Sequence, residues 1–171
     1  MLQRLSGNDA LMLNMENPTT PMHTLKVAIL DSSRRGSPVT LDELRAVLPR
    51  YLGNFPRANQ RVETASQTYS ARPFWVPDPD FDIAAHLDER SVDEPGDRVA
   101  LDRVLSVLAV EQLDRRRPLW ALTLVNGLAD CQQAVVVRVP HAVADGLAAL
   151  NMFMTATSEG GGTITAAPIP D

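Results

Sequence analysis

The sequence predicts an α/β domain, and three stretches carry that prediction. In "QQAVVVRVP" (132–140) a continuous β-branched run has the character of an interior strand buried on both faces. In "VTLDELRAVLPRYL" (39–52), Thr40 followed by Glu43 forms a capping box ahead of a helical stripe of Leu41, Leu44, Val47 and Leu48. In "DRVALDRVLSVLAVEQLD" (97–114), Leu101, Val104, Leu105 and Leu108 recur at the helical period. Periods of two and of about 3.6 therefore alternate along one chain.

The remaining elements follow in order. "HTLKVAIL" (23–30) sets Leu25, Val27 and Ile29 on one face of a strand. "YSARPFWV" (69–76) reads as a short strand, which Pro73 assigns to an edge or a bend. "VPDPDFDIAAHLDERSVDEPGD" (76–97) is a turn-rich acidic excursion with room for one short strand. "LWALTLVNGL" and "QQAVVVRVP" pair as two strands across a turn at "LADC", and "DGLAALNMFMTAT" (145–157) has a helical pattern. "SEGGGTITAAPIPD" has no core-facing period and reads as a linker or tail. The expected division is therefore residues 1–157 as the domain and 158–171 as the tail, with a C-terminal partner domain absent.

Bulk properties narrow the function. A chain of 171 residues suits one domain with a real core. Its 44% hydrophobic content is that of a globular protein, and no apolar run nears the ~18 residues of a membrane span. The acidic opening "MLQRLSGNDALMLNMEN" does not match a secretory signal. Cys131 has no cysteine to pair with, as expected in a reducing cytoplasm. A net charge of −5 opposes non-specific nucleic-acid binding.

One segment carries chemistry, "PHAVADG" (140–146). Pro140 lacks an amide donor and biases Val139 to an extended shape, so a strand ends one residue before His141. Asp145 suits the N-cap of a following helix, and Gly146 permits a tight turn. Histidine is largely neutral near pH 7 and can act as a general base. The residues alone leave two readings of His141 open: a general base at a strand end, or a satisfied loop histidine beside an ordinary cap. The other histidines, His23 and His86, lack metal-ligand spacing, so neither a metal nor a cofactor site is expected. No P-loop or dinucleotide fingerprint is present.

Several blocks together resemble the bacterial wax ester synthase/acyl-CoA:diacylglycerol acyltransferase family, within the CoA-dependent acyltransferases. They are "RLSGNDALMLNMEN" (4–17), "PMHT" (21–24), "FWVPDPDFDIAAHL" (74–87), "LDRRRPLWALTLVNGL" (113–128) and "PHAVADG", over residues 1–157. The resemblance implies a chloramphenicol acetyltransferase-like domain, a mixed sheet packed against helices in a two-layer sandwich. In the whole enzyme, two such domains would enclose an active-site tunnel. It also implies that His141 is the catalytic base, with Asp145 and Gly146 supporting its loop. The reaction would move a fatty acyl group from acyl-CoA, as co-substrate, to the hydroxyl of diacylglycerol or a long-chain alcohol.

Leu119 and Trp120 are candidates for a substrate wall, with core packing as the other assignment. The chain departs from the family pattern at Pro140, where a first histidine is usual, and at Ala121, where an acidic residue is usual. Two other functions stay in view: a non-catalytic remnant that needs a separately encoded C-terminal half, and a condensation-type domain acting on carrier-protein thioesters. The expected location is cytoplasmic, with at most peripheral contact to a membrane or lipid droplet.

Overall fold

The computed structural model describes residues 3–52, 57–64 and 73–140. His141, Asp145, Gly146, the 145–157 helical pattern and the 158–171 tail lie outside these residues. The order is β1 (Gln3–Arg4), α1 (Gly7–Met15), β2 (His23–Asp31), α2 (Leu41–Val47), α3 (Pro49–Leu52), β3 (Gln60–Glu63) and β4 (Phe74–Pro77). A 3-10 turn (Ile83–His86), β5 (Leu87–Ser91), α4 (Arg98–Val110), β6 (Ala121–Asn126) and β7 (Gln132–Pro140) follow. The strands form two sheets, a large one in the order β2-β7-β6-β5 and a small one in the order β1-β4-β3.

The large sheet is mixed because its connections differ in length. β6 and β7 are joined by a short turn and pair antiparallel. β5 and β6 pair parallel, which needs a long crossover, and α4 provides it. Asp97 caps α4 by accepting the Ala100 amide at 2.9 Å. The helix presses Leu101 and Leu108 onto Val125, Ala134 and Val136. On the other face Leu44 of α2 and its C-cap Leu48 meet Leu122, Leu124, Val135, Val137 and Val139. β7 is thus covered on both sides, as its β-branched run predicts.

The α2 capping box forms as predicted: Thr40 Oγ1 accepts from the Glu43 amide at 3.2 Å, and Glu43 Oε2 accepts from the Thr40 amide at 2.9 Å.

Two elements differ from their sequence expectations. β4 is the central strand of the small sheet, not an edge. Pro73 sits just before it, where its missing amide interrupts no rung, and its carbonyl accepts from the Leu5 amide at 2.9 Å. In β2, Leu25, Val27 and Ile29 do share a face, yet Val27 and Ile29 are exposed while Ala28 and Leu30 are buried. β2 is an edge strand, and α4 covers that face only as far as Leu25.

Gln133 is the polar pin of the large sheet. Its side chain is buried, and every bond it can form there is made. Oε1 accepts from the Val39 amide (2.6 Å) and Ser32 Oγ (3.2 Å), while Nε2 donates to the Val39 carbonyl (2.8 Å) and Asn126 Oδ1 (2.6 Å). Removing it would leave several partners unpaired, each at about 1–3 kcal/mol. Gln133→Ala is expected to lower unfolding free energy by about 2–4 kcal/mol. A urea unfolding curve within about 0.5 kcal/mol of wild type would refute the pin.

Candidate active site

The site is approached along β7. Its residues alternate between the two cores until Arg138, a charged side chain on the α4 face that is only 7% exposed. The guanidinium reaches the C-terminal end of α4. Nη1 donates to the carbonyls of Glu111 (3.0 Å) and Leu108 (3.4 Å) and lies 3.3 Å from Glu111 Oε2. A cation there meets both the unsatisfied carbonyls and the negative end of the helix dipole. The charges then alternate across the face: Glu111 Oε1 accepts from Arg90 Nη2 (3.3 Å), and Arg90 Nε donates to Asp88 Oδ2 (2.7 Å). Arg138 Nε has no hydrogen-bond partner.

Pro140, the last described residue of β7, pairs with His23, the first residue of β2. Both ring nitrogens of His23 are shielded and carry no hydrogen bond. Burial is the main cause that holds its pKa below the ordinary 6.5, and the charge of Arg138 adds to it. The Leu108 carbonyl and Glu16 oppose, so the ring is neutral at neutral pH. A polar pair with unused nitrogens thus stands at the strand end that delivers the chain to His141.

Leu119 and Trp120 are both buried, and they enter different cores. Leu119 packs with Leu5, Ala10, Leu13 and Trp75, under α1 and the small sheet. Trp120 packs with Leu122, Val137 and Val139 against α2. Trp120 Nε1 donates to the Ala58 carbonyl at 2.8 Å. His86 stacks on its ring, with centroids 4.3 Å apart and planes 14° apart. His86 Nδ1 lies 2.9 Å from the Trp120 carbonyl; a carbonyl only accepts, so the proton sits on Nδ1. Burial, the largest cause, also lowers the His86 pKa.

The arginine run divides its tasks. Arg116 is bidentate to Asp114, at 3.0 and 2.9 Å, and Arg117 lies 3.6 Å from the same carboxylate. Asp114 is consequently held down at about 2. Arg115 instead donates to the Leu13 carbonyl and to Glu16 (2.6 Å), closing the C-terminal end of α1.

Sequence inspection missed Arg138 and His23 as a pair. A lone charge inside a β-branched run was the available signal for Arg138; the pairing with His23 depends on strand register. Among the described residues no group of three or more His, Cys, Asp or Glu could hold a metal ion. None of the described helices is long and apolar enough to cross a membrane.

A model of the wax ester synthase/diacylglycerol acyltransferase catalytic domain matches residues 5–165. The chain belongs to this family. A Mycobacterium tuberculosis protein named as a diacylglycerol O-acyltransferase is 35% identical over 153 residues, which are 89% of this chain and 32% of that protein. A second from the same organism is 34% identical over 150 residues, 88% of this chain and 54% of its own length.

The wax ester synthase/diacylglycerol acyltransferase from Marinobacter aquaeolei VT8 superposes with a TM-score of 0.67 at 27% identity, covering 90% of this chain and 38% of that one. A starter condensation domain of rhizomide synthetase, solved with C8-CoA, reaches the same TM-score at 10% identity over 98% of this chain and 38% of its own, which speaks for the fold alone. The fold is that of these acyltransferases and condensation domains, a mixed α/β arrangement with sheets packed against helices. The chain spans between a third and about half of the length of these relatives.

Two depressed histidine pKa values fix the sign of the acid response. As pH falls below 6.5 the unfolded chain takes up protons that folded His23 and His86 refuse, so stability declines on that side. In His23→Phe and His86→Phe the decline between pH 7 and 5 should be shallower. Parallel pH profiles for wild type and both variants would contradict it.

Proposed function

We propose that this chain provides the base-bearing part of an O-acyltransferase. It would pass a fatty acyl group from acyl-CoA to the hydroxyl of diacylglycerol or a long-chain alcohol, giving triacylglycerol or wax ester. The observation that supports this most is the catalytic-domain match over residues 5–165, a span that includes His141 and the strand leading to it. No cofactor is part of the proposal; acyl-CoA is a co-substrate. Contact with lipid would be peripheral, from the cytoplasmic side.

His141 takes the hydroxyl proton of the acceptor as its oxygen attacks the thioester carbonyl. The tetrahedral intermediate collapses, the carbon–sulfur bond breaks, and the proton passes from the imidazolium to the departing thiolate. Asp145 and Gly146 support the loop that carries the base. The burial of Leu119 and Trp120 in separate cores favours a structural role for that pair over a substrate wall.

A second version is favoured by the fraction of the relatives' length spanned here. In it, the chain is not catalytic alone and needs a C-terminal half to complete the tunnel.

Thiol release from acyl-CoA in the presence of diacylglycerol tests the first version. His141→Ala is expected to reduce it by about 10²–10⁴-fold, the range of a general base. Equal, measurable turnover in wild type and variant would end the proposal for His141. Turnover that appears only on mixing with a relative's C-terminal half would establish the second version.

A further inference from the structure

The loop between β2 and α2 holds chemistry that acyl transfer does not use. It runs Ser32, Ser33, Arg34, Arg35, Gly36, Ser37, Pro38. Ser37 has arginines three and two residues before it, and no other serine or threonine of the chain has both. The loop leaves β2 at Asp31, which pairs with Gln132 at the start of β7. The length of β7, about 27 Å, separates that end of the sheet from Pro140.

Burial and bonding single out Ser37 among the serines. Ser32 is buried, and its Oγ donates to Gln133 Oε1 at 3.2 Å. Ser33 follows Asp31, whose carboxylate accepts the Ser33 amide at 2.8 Å. Two serines have a single arginine at such a spacing, and both are engaged within helices. Ser6 Oγ accepts the Asp9 amide (3.1 Å) as the cap of α1, and Ser106 Oγ donates to the Asp102 carbonyl (2.7 Å) in α4. Ser37 is exposed, and its hydroxyl forms no hydrogen bond among the described residues.

The loop can present this segment without disturbing the core. Gln133 holds it at both ends, through Ser32 and Val39. Between these anchors residues 33–38 are all exposed. Two backbone bonds close the turn, from the amides of Arg35 and Gly36 to the Ser32 carbonyl, both at 3.1 Å. Opening the turn breaks those two bonds and uncovers no apolar side chain, the condition for cheap local opening. Arg35 pairs with Glu43, while Arg34 makes no salt bridge among the described residues.

We propose that Ser37 is a phosphorylation site for a protein serine/threonine kinase whose acidic recess selects arginines before the acceptor. Ser37 Oγ attacks the γ-phosphorus of MgATP. The new oxygen–phosphorus bond forms as the bond to the β,γ-bridging oxygen breaks, ADP leaves with that electron pair, and the hydroxyl proton passes to the kinase base. The phosphate, with a charge of about −1.5 to −2, then pairs with Arg34 and draws Arg35 from Glu43. Two residues span at most about 7 Å, so the Arg35 guanidinium reaches it. Thr40 and Glu43 keep the α2 capping box, whose bonds are to backbone amides. None of this rests on the acyl-transfer reading.

The test treats the folded full chain with the catalytic subunit of cAMP-dependent protein kinase and labelled ATP, and maps the label by tandem mass spectrometry. Label on Ser37 is expected, and Ser37→Ala should abolish it. Arg34→Gln combined with Arg35→Gln should lower kcat/KM for the kinase by about tenfold to a hundredfold. All three side chains are exposed, and a urea curve that matches wild type certifies each variant's fold.

Label on Ser6, Thr64 or Ser106 with Ser37 unmodified, or label unchanged in Ser37→Ala, would overturn the inference. So would a peptide of residues 29–42 that is modified while the folded chain is not, because the loop would then be closed to the enzyme. In the nitrogen-15 spectrum of the phosphorylated chain, the Arg35 Nε–H signal should move and the Gln133 carboxamide signals should stay. An unmoved Arg35 signal refutes the pairing with phosphate.

Discussion

The architecture depends on two neighbouring side chains that are buried in different places. Leu119 closes the core beneath the small sheet, and Trp120 closes the core of the large one. One peptide link joins the two packing units, so neither can shift without dragging a large apolar side chain out of the other. Burying side chains of this size contributes about 1.5–3 kcal/mol each. Polar contacts then fix the direction of the link: the indole donates to Ala58, and the Trp120 carbonyl accepts from His86. β6 begins at the next residue, so the register of β6, and of β7 beside it, is referred to this joint.

Much of the large sheet was readable because its determinants are local. The 134–139 run, the Thr40–Glu43 box and the α4 stripe each encode their element within a few residues. The β6–β7 pairing follows from the short turn between them. The small sheet was not readable, since β1 has two residues and β3 four, too short for alternation to register. Pro73 misled in a different way: its constraint applies to the residue itself, and the strand starts one position later.

At the candidate site the division is the same. The β-branched strand read from the sequence runs through Pro140, the last described residue of β7. His23 comes opposite Pro140 only because β2 and β7 are paired in one register across more than a hundred residues of chain. The tautomer of His86 depends on a carbonyl 34 positions away. Neither partner could be deduced from spacing.

The electrostatics around His23 are set by two arginines at helix ends, Arg138 buried and Arg115 exposed. The carboxyl ends of α1 and α4 both lie close, represented by Glu16 and by the Leu108 carbonyl, and each raises the histidine pKa. Helix ends of this polarity would favour an imidazolium. Arg115 occupies the end of α1 and Arg138 the end of α4, and each pairs with the acidic residue at its helix end. With both helix ends neutralised, desolvation decides, and the imidazole stays uncharged. The first residue of β2, paired with Pro140 of β7, is therefore an uncharged imidazole at neutral pH.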